Sequence, residues 1–265
     1  MLFDTHTHIY LWELWKNKQE VVQDFLDNSW KYMINIWVDL KSSLEVCEIA
    51  KEFECSFATV WIHPCYVMDL PWTPEENIEK LREIYEKNKD IIVWIWEAWL
   101  DNYHISETET DKERELQETY FRLQIRLAKE LDIPLIIHTR NAPQRTLEIL
   151  EEEKSVKFLI HCFSENLDFA QKCMKISDEC IFAFWWVVTY KKSFDVQNAC
   201  INLPIEKIVA ETDAPYLAPQ VFRWKVNKPH YINETIKYIA EIRWDNFEIT
   251  KEKLFKNSVK FFKVK

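Results

Sequence analysis

The amino-acid sequence predicts a single α/β domain over residues 1–265, a (β/α)8 TIM barrel. Short apolar runs alternate with amphipathic helical patterns from end to end, and eight such units in 265 residues are the count and size of that barrel. No linker, low-complexity run or change of composition breaks the chain. The residues best able to bind metal fall at the ends of the apolar runs, where a barrel gathers its active-site groups. A doubly wound open sheet would also alternate strands and helices, but it has no need of eight near-equal units.

The strands are expected at 1–5, 33–38, 57–61, 91–96, 134–137, 157–160, 180–184 and 207–210. Helices are expected near 18–29, 42–53, 75–88, 111–131, 143–153, 166–175 and 191–201, with two more near 230–242 and 250–262. The helix over 111–131 is the clearest, because Leu116, Tyr120, Leu123, Leu127 and Leu131 recur every three to four residues and form one apolar face. Thr73-Pro-Glu-Glu and Thr250-Lys-Glu-Lys carry the hydroxyl expected of a helix N-cap.

The composition has one anomaly. The chain holds no glycine and 13 tryptophans, where ordinary usage predicts roughly 19 glycines. Glycine supplies left-handed turns and helix ends at no steric cost. The tryptophans stand in such places. Trp30 closes a helical pattern, Trp94, Trp96 and Trp99 crowd one strand end, and Trp185-Trp186 ends another. Trp72, Trp224 and Trp244 lie in turn-like or polar settings. These positions are expected to be glycines in the natural protein, misread through a codon whose meaning differs between genetic codes. Thirteen genuine indoles would each need a partner for the N–H wherever they are buried.

The net charge of −10 argues against broad electrostatic gripping of nucleic acid. It leaves room for a phosphate-bearing substrate, since bound divalent ions reverse the local sign. Seven scattered cysteines without a CxxC pair read as reduced thiols of a cytoplasmic protein. The chain starts directly as a strand, with no basic and apolar leader and no 18-residue apolar span, so neither export nor membrane insertion is expected. A monomer is expected, because a single barrel encloses its own core.

The chemistry lies in the strand ends. His6 and His8 follow the first strand as Asp-Thr-His-Thr-His, and residues two apart in an extended segment project to the same side. Glu97 follows the fourth strand, His138 the fifth, His161 the sixth and Asp213 the eighth. One strand-end histidine is more often a structural residue than a ligand. Six N and O donors converging on one mouth make a metal site. Imidazole and carboxylate suit Zn²⁺ or Mn²⁺ and, with fewer ligands, Mg²⁺.

These motifs, in this order, resemble the TatD-like metal-dependent deoxyribonucleases of the amidohydrolase superfamily. The resemblance covers nearly the whole chain and rests on Asp4-Thr-His-Thr-His8, Trp61-Ile-His-Pro64, Trp96-Glu-Ala-Trp-Leu-Asp101, Ile137-His-Thr-Arg140, Ile160-His-Cys-Phe-Ser164 and Glu211-Thr-Asp-Ala-Pro-Tyr-Leu-Ala-Pro219. Asn257-Ser-Val-Lys-Phe-Phe262 is similar to the family's closing helix. The family has glycine where this chain has Trp61, Trp96 and Trp99, and also where it has Glu165. The resemblance implies a centre of two divalent ions (Mg, Mn or Zn). One ion would take His6, His8 and Asp213, the other His138 and His161, with Glu97 bridging. It implies hydrolysis of DNA phosphodiester bonds, at an end or on single strands, with Asp213 and Glu97 as the catalytic carboxylates. Asp213 is placed to take the proton of the attacking water.

Other residues carry weaker expectations. His63 ends the third strand and Arg140 follows His138 by two residues, so both are candidate phosphate contacts. A structural salt bridge is the alternative for Arg140, and simply lining the site is the alternative for His63. Asp101 is expected to hold a ligand histidine in its tautomer. His104 and His230 read as surface residues, and Cys162 as core, on the opposite side of its strand from His161. Nothing in the sequence itself selects DNA, since no helix-turn-helix, basic stripe or interleaved aromatic-basic loop stands out. The same barrel also hosts hydrolases of esters, amides and lactones. Read literally, tryptophans beside Glu97 would overpack the site, so an inactive or poorly folding chain is a further alternative.

Overall fold

The computed structural model describes residues 1–28, 30–36, 47–48, 50–60, 62–105, 110–154 and 157–264. Eight strands form one sheet in sequence order, each parallel to the next. They are β1 (Leu2–Thr7), β2 (Trp30–Asn35), β3 (Ser56–Val60), β4 (Ile92–Asp101), β5 (Leu135–Arg140), β6 (Phe158–Ile160), β7 (Ile181–Phe184) and β8 (Ile208–Ala210). The sheet closes on itself. Thr7 bridges Ala214 in parallel, His8 N–H donates to Ala214 O at 2.7 Å and Asp213 N–H to His6 O at 3.0 Å. The barrel read from the alternation of strand and helix patterns is therefore the observed fold.

The described helices are α1 (Trp12–Lys16), α2 (Lys18–Asp27), α3 (Pro74–Asn88), α4 (Thr110–Leu131), α5 (Pro143–Glu152), α6 (Leu167–Ile176), α7 (Phe194–Asn202), α8 (Ile232–Ile242) and α9 (Phe247–Phe262). Of the helix expected at 42–53, residues 47–48 and 50–52 are helical. Phe53 is described but not helical, and residues 42–46 and 49, residues 37–38 of the expected second strand and Trp61 lie outside the described residues. Thr73 caps α3 as expected: its Oγ1 accepts from Glu76 N–H, the Glu76 carboxylate accepts from Thr73 N–H, and Pro74 takes the first helical position.

Two apolar layers hold the barrel. The larger packs the outer strand faces against the helices through residues such as Phe25, Met33, Phe121, Ile149 and Phe182. The smaller fills the barrel interior with Phe3, Ile34, Ile136, Leu159 and Val209, and the end of α9 plugs it with Phe261 and Phe262. The Phe3 and Phe262 rings lie 5.6 Å apart. With one end of the barrel plugged by apolar side chains, polar chemistry is confined to the other.

Three expectations are corrected. Trp30 is not a helix end: α2 stops at Asp27 with Asn28 as its C-cap, and Trp30 opens β2 opposite Leu2, because β1 needs an extended partner there. Thr250 is not a cap, since Asn246 accepts from Ile249 N–H and Thr250 is buried one turn into α9. β4 runs on to Asp101, where Leu100 and Asp101 pair with Thr139 and Arg140 of β5. Glu97 therefore sits within its strand.

The tryptophans divide by setting. Trp244 lies just beyond α8 at φ 57°. Its N–H donates to Glu241 O, and Asp245 N–H reaches back to Ala240 O. That is the helix ending in which glycine is favoured, here carrying an indole that is 95% exposed. In contrast, Trp185 has extended backbone (φ −121°) that any residue adopts. The indole N–H groups of Trp99, Trp185 and Trp186 are buried without a hydrogen-bond partner among the described residues. Each such donor costs about 1–3 kcal/mol.

Candidate metal centre

The six predicted donors meet at the open end of the barrel. His6 lies within β1 and His8 just after it, Glu97 within β4, His138 within β5, His161 directly after β6 and Asp213 three residues past β8. His6 Nε2 is 2.7 Å from His8 Nε2, and Asp213 Oδ1 is 3.2 Å and 3.3 Å from these two nitrogens. The His6 and His161 rings stack at 3.7 Å. His161 Nε2 faces Glu97 Oε1 at 3.0 Å, and the His138 ring lies 5.6 Å from that of His161.

Hydrogen bonds behind the donors fix their direction. His8 Nδ1 donates to Ile36 O at 2.9 Å, which leaves the lone pair on Nε2. Burial holds His6 neutral by pushing its pKa well down, and His138 is lowered to about 3, also chiefly by burial. Two imidazole nitrogens and a carboxylate oxygen thus converge, a donor set that suits a bound cation. The donor atoms of His6, His8 and Asp213 all lie within 4.8 Å of one another, as do those of His138, His161 and Cys162. The residues present fit divalent metal.

His161 behaves differently. Burial opposes its charge, but the Glu211 and Glu97 carboxylates outweigh it and raise the pKa to about 10. Burial also works against the Glu97 carboxylate, yet His161, His138 and His63 bring its pKa down to about 2. Burial pushes the pKa of Glu211, the partner of His161, up from the ordinary value, so without metal a proton is held between His161 and the acids that flank it. The folded pKa of His161 exceeds the free value, so its contribution to stability is complete below about pH 6.5 and is lost as pH rises toward 10. An ion taking Nε2 displaces that proton, so metal affinity rises with pH across the neutral range.

Glu211 is the functional residue that residue-by-residue reading missed. It is fully buried, its Oε2 is 2.9 Å from His161 Nδ1, and its Oε1 accepts from Cys162 N–H at 2.6 Å. It aims His161 at the centre, the role expected of Asp101. Asp101 instead accepts from Tyr103 and His104 N–H groups. Its Oδ2 lies 2.8 Å from His104 Nδ1 and 3.8 Å from Arg140 Nη1, so it touches no predicted ligand. His104 is exposed as expected but anchored by this contact, and His230 is half-buried.

Cys162 is also corrected. It adopts φ 46°, which breaks the side-to-side alternation of a strand and turns Sγ toward Asp213 Oδ2 at 3.8 Å. Its thiol faces the centre. His63 Nδ1 accepts from Cys65 N–H at 3.0 Å, which places the ring proton on Nε2, and burial lowers its pKa to about 4. Trp99 shares the parity of Glu97 on β4. Its ring centroid is 4.1 Å from that of His138 and 5.1 Å from that of His63, with the Arg140 guanidinium 5.6 Å away. The indole fills the wall between ligand and candidate phosphate contacts.

Barrel and donor set together define the class of metal-dependent barrel hydrolases. The sequence profile of the TatD-related DNases matches residues 3–263, and the chain belongs to that family. YabD of Bacillus subtilis, described as an uncharacterized metal-dependent hydrolase, is 30% identical over 266 residues and is matched across 100% of both chains. The TatD homolog YjjV of Escherichia coli has the same fold, with a TM-score of 0.89 at 20% identity over 100% of this chain and 98% of that one. A lactonase from Listeria monocytogenes shares the fold at a TM-score of 0.70 and 17% identity, over 100% of this chain and 95% of its own. The protein is a metal-dependent hydrolase of the TatD family. No described helix is long and apolar enough to cross a membrane.

Proposed function

We propose that the protein hydrolyses phosphodiester bonds of DNA, at an end or on a single strand, as a monomer in the cytoplasm. The observation that carries this is the convergence of His6, His8 and Asp213 beside His161, Glu97 and His138 in one buried mouth. His6, His8 and Asp213 would hold one divalent ion (Mg, Mn or Zn), His138 and His161 a second, and Glu97 would join the two. Together the ions would supply an activated water and neutralise charge building on the phosphoryl oxygens.

The chain's own groups do the rest. Asp213 accepts the proton of the attacking water. His63, neutral with its proton on Nε2, donates to a phosphoryl oxygen, and the half-exposed Arg140 guanidinium forks onto the phosphate. Glu97 is a carboxylate at the strand-four position, which some superfamily relatives fill with a modified lysine. That favours phosphodiester over lactone chemistry.

The test compares metal-loaded protein on a DNA oligonucleotide, a bis-nitrophenyl phosphodiester and a lactone. Hydrolysis of both phosphodiesters, at a kcat/KM far above that for the lactone, is expected. Lactone hydrolysis without phosphodiester hydrolysis would move the assignment to ester chemistry on the same barrel.

A further inference from the structure

The stretch between Asp213 and Glu234 reads in the sequence as an ordinary connection, but the fold puts it on the rim of the site. Residues 214–233 contain Arg223, Lys225 and Lys228 and not one carboxylate, in a chain whose net charge is −10. We infer that this loop is a binding strip for the backbone phosphates of a single-stranded DNA substrate beside the bond being cut. The inference rests on the phosphodiesterase reading above and deepens it by naming what grips the strand.

The loop starts at the centre itself. Tyr216 N–H donates to Asp213 O at 2.9 Å, and its ring lies 5.6 Å from that of His8 while remaining 42% exposed. It is also held in place. Asn227 is fully buried, and its Nδ2 donates to Thr212 O at 2.8 Å and Leu217 O at 3.1 Å. Gln220 N–H donates to Thr189 Oγ1 at 2.9 Å, and Tyr190 OH donates to Ala218 O at 3.1 Å. These bonds tie the backbone of the strip to the β7 exit and to the segment around Asp213.

Two of the three cations on the strip are uncommitted to a carboxylate among the described residues. Elsewhere Arg82, Arg122, Arg126 and Arg145 are locked onto glutamates. Arg223 and Lys225 are exposed and have no carboxylate partner among the described residues. Their neighbours are ring faces: Tyr190 lies 5.1 Å from the Arg223 guanidinium and Phe222 5.3 Å from Lys225 Nζ. Lys228 differs, with its Nζ 3.7 Å from Asp24 Oδ2 on α2. Two cations two residues apart, without a carboxylate partner among the described residues and on a stretch that itself carries no acid, suit a polyanion threading past the centre. A small lactone makes no use of them. The charges stand with either tryptophan or glycine at 224.

The test measures hydrolysis of a single-stranded oligothymidylate and of a bis-nitrophenyl phosphodiester by metal-loaded wild type and by the Arg223→Ala/Lys225→Ala double variant, over a range of salt. The ratio of oligonucleotide to small-diester kcat/KM is expected to fall about tenfold (about 1.4 kcal/mol). The salt slope of oligonucleotide binding should shrink by about 1.4, from two phosphate contacts at about 0.7 each. Arg223→Lys, which keeps the charge, should retain the wild-type slope. An unchanged ratio and slope in the double variant would overturn the strip while leaving the phosphodiesterase reading intact. Small-diester hydrolysis with no cleavage of the oligonucleotide by wild type would overturn the DNA assignment itself, and the strip with it.

Discussion

Replacing Asp213 by asparagine is expected to lower kcat on phosphodiesters by about 10²–10⁴-fold, the range lost with a general base, while the barrel stays folded. Asp213 sits at φ 58°, a conformation asparagine tolerates about as well as aspartate, so the backbone bond from its N–H to His6 O survives the change. What is lost is the anionic oxygen facing His6 and His8, and with it the proton acceptor. Steady-state kinetics with circular dichroism as a fold control checks this. Activity within tenfold of wild type in a folded variant would remove Asp213 from the role of base.

The second large effect is expected at Trp99. Its indole stands against His138 and His63 with its N–H buried and without a hydrogen-bond partner among the described residues, in a chain without glycine. Trp99→Gly should open the wall beside the ligands and raise kcat/KM on DNA at least about tenfold, about 1.4 kcal/mol. On the same reading, the mass of the natural peptide spanning residues 91–101 fits glycine at 94, 96 and 99. A fall in activity on Trp99→Gly, or a mass fitting three tryptophans, would make the indole a genuine supporting wall.

The barrel was legible because its signal is repetitive. Eight alternations survive errors of a few residues at each boundary, as the extension of β4 to Asp101 shows. The convergence of these side chains is legible for a related reason: the fold sends the C-terminal strand ends to one place, so position alone gathers His6, Glu97, His138, His161 and Asp213 as candidate donors. What failed depended on local backbone or on contacts across the barrel. Cys162 was assigned to the core by strand alternation, which its left-handed φ interrupts. The sequence points to Asp101 as the partner of a candidate ligand histidine, whereas the carboxylate that reaches His161 is Glu211, just past β8, and no sequence spacing encodes that approach. Trp30 was read with the helix before it, although its partner is Leu2 across the sheet. The basic loop has no signature in the sequence because its meaning is positional: three cations in twenty residues are unexceptional until the fold roots their loop at Asp213 through Tyr216.

The central claim is that six side chains form a centre for two divalent ions, and calorimetric titration of metal-free protein with Zn²⁺ in buffers of different ionisation enthalpy tests it most directly. Two ions per chain are predicted, with release of at least one proton at neutral pH as metal replaces the Nε2 proton of His161, whose pKa is held at about 10. Binding of fewer than two ions, or uptake with no proton released, would contradict it.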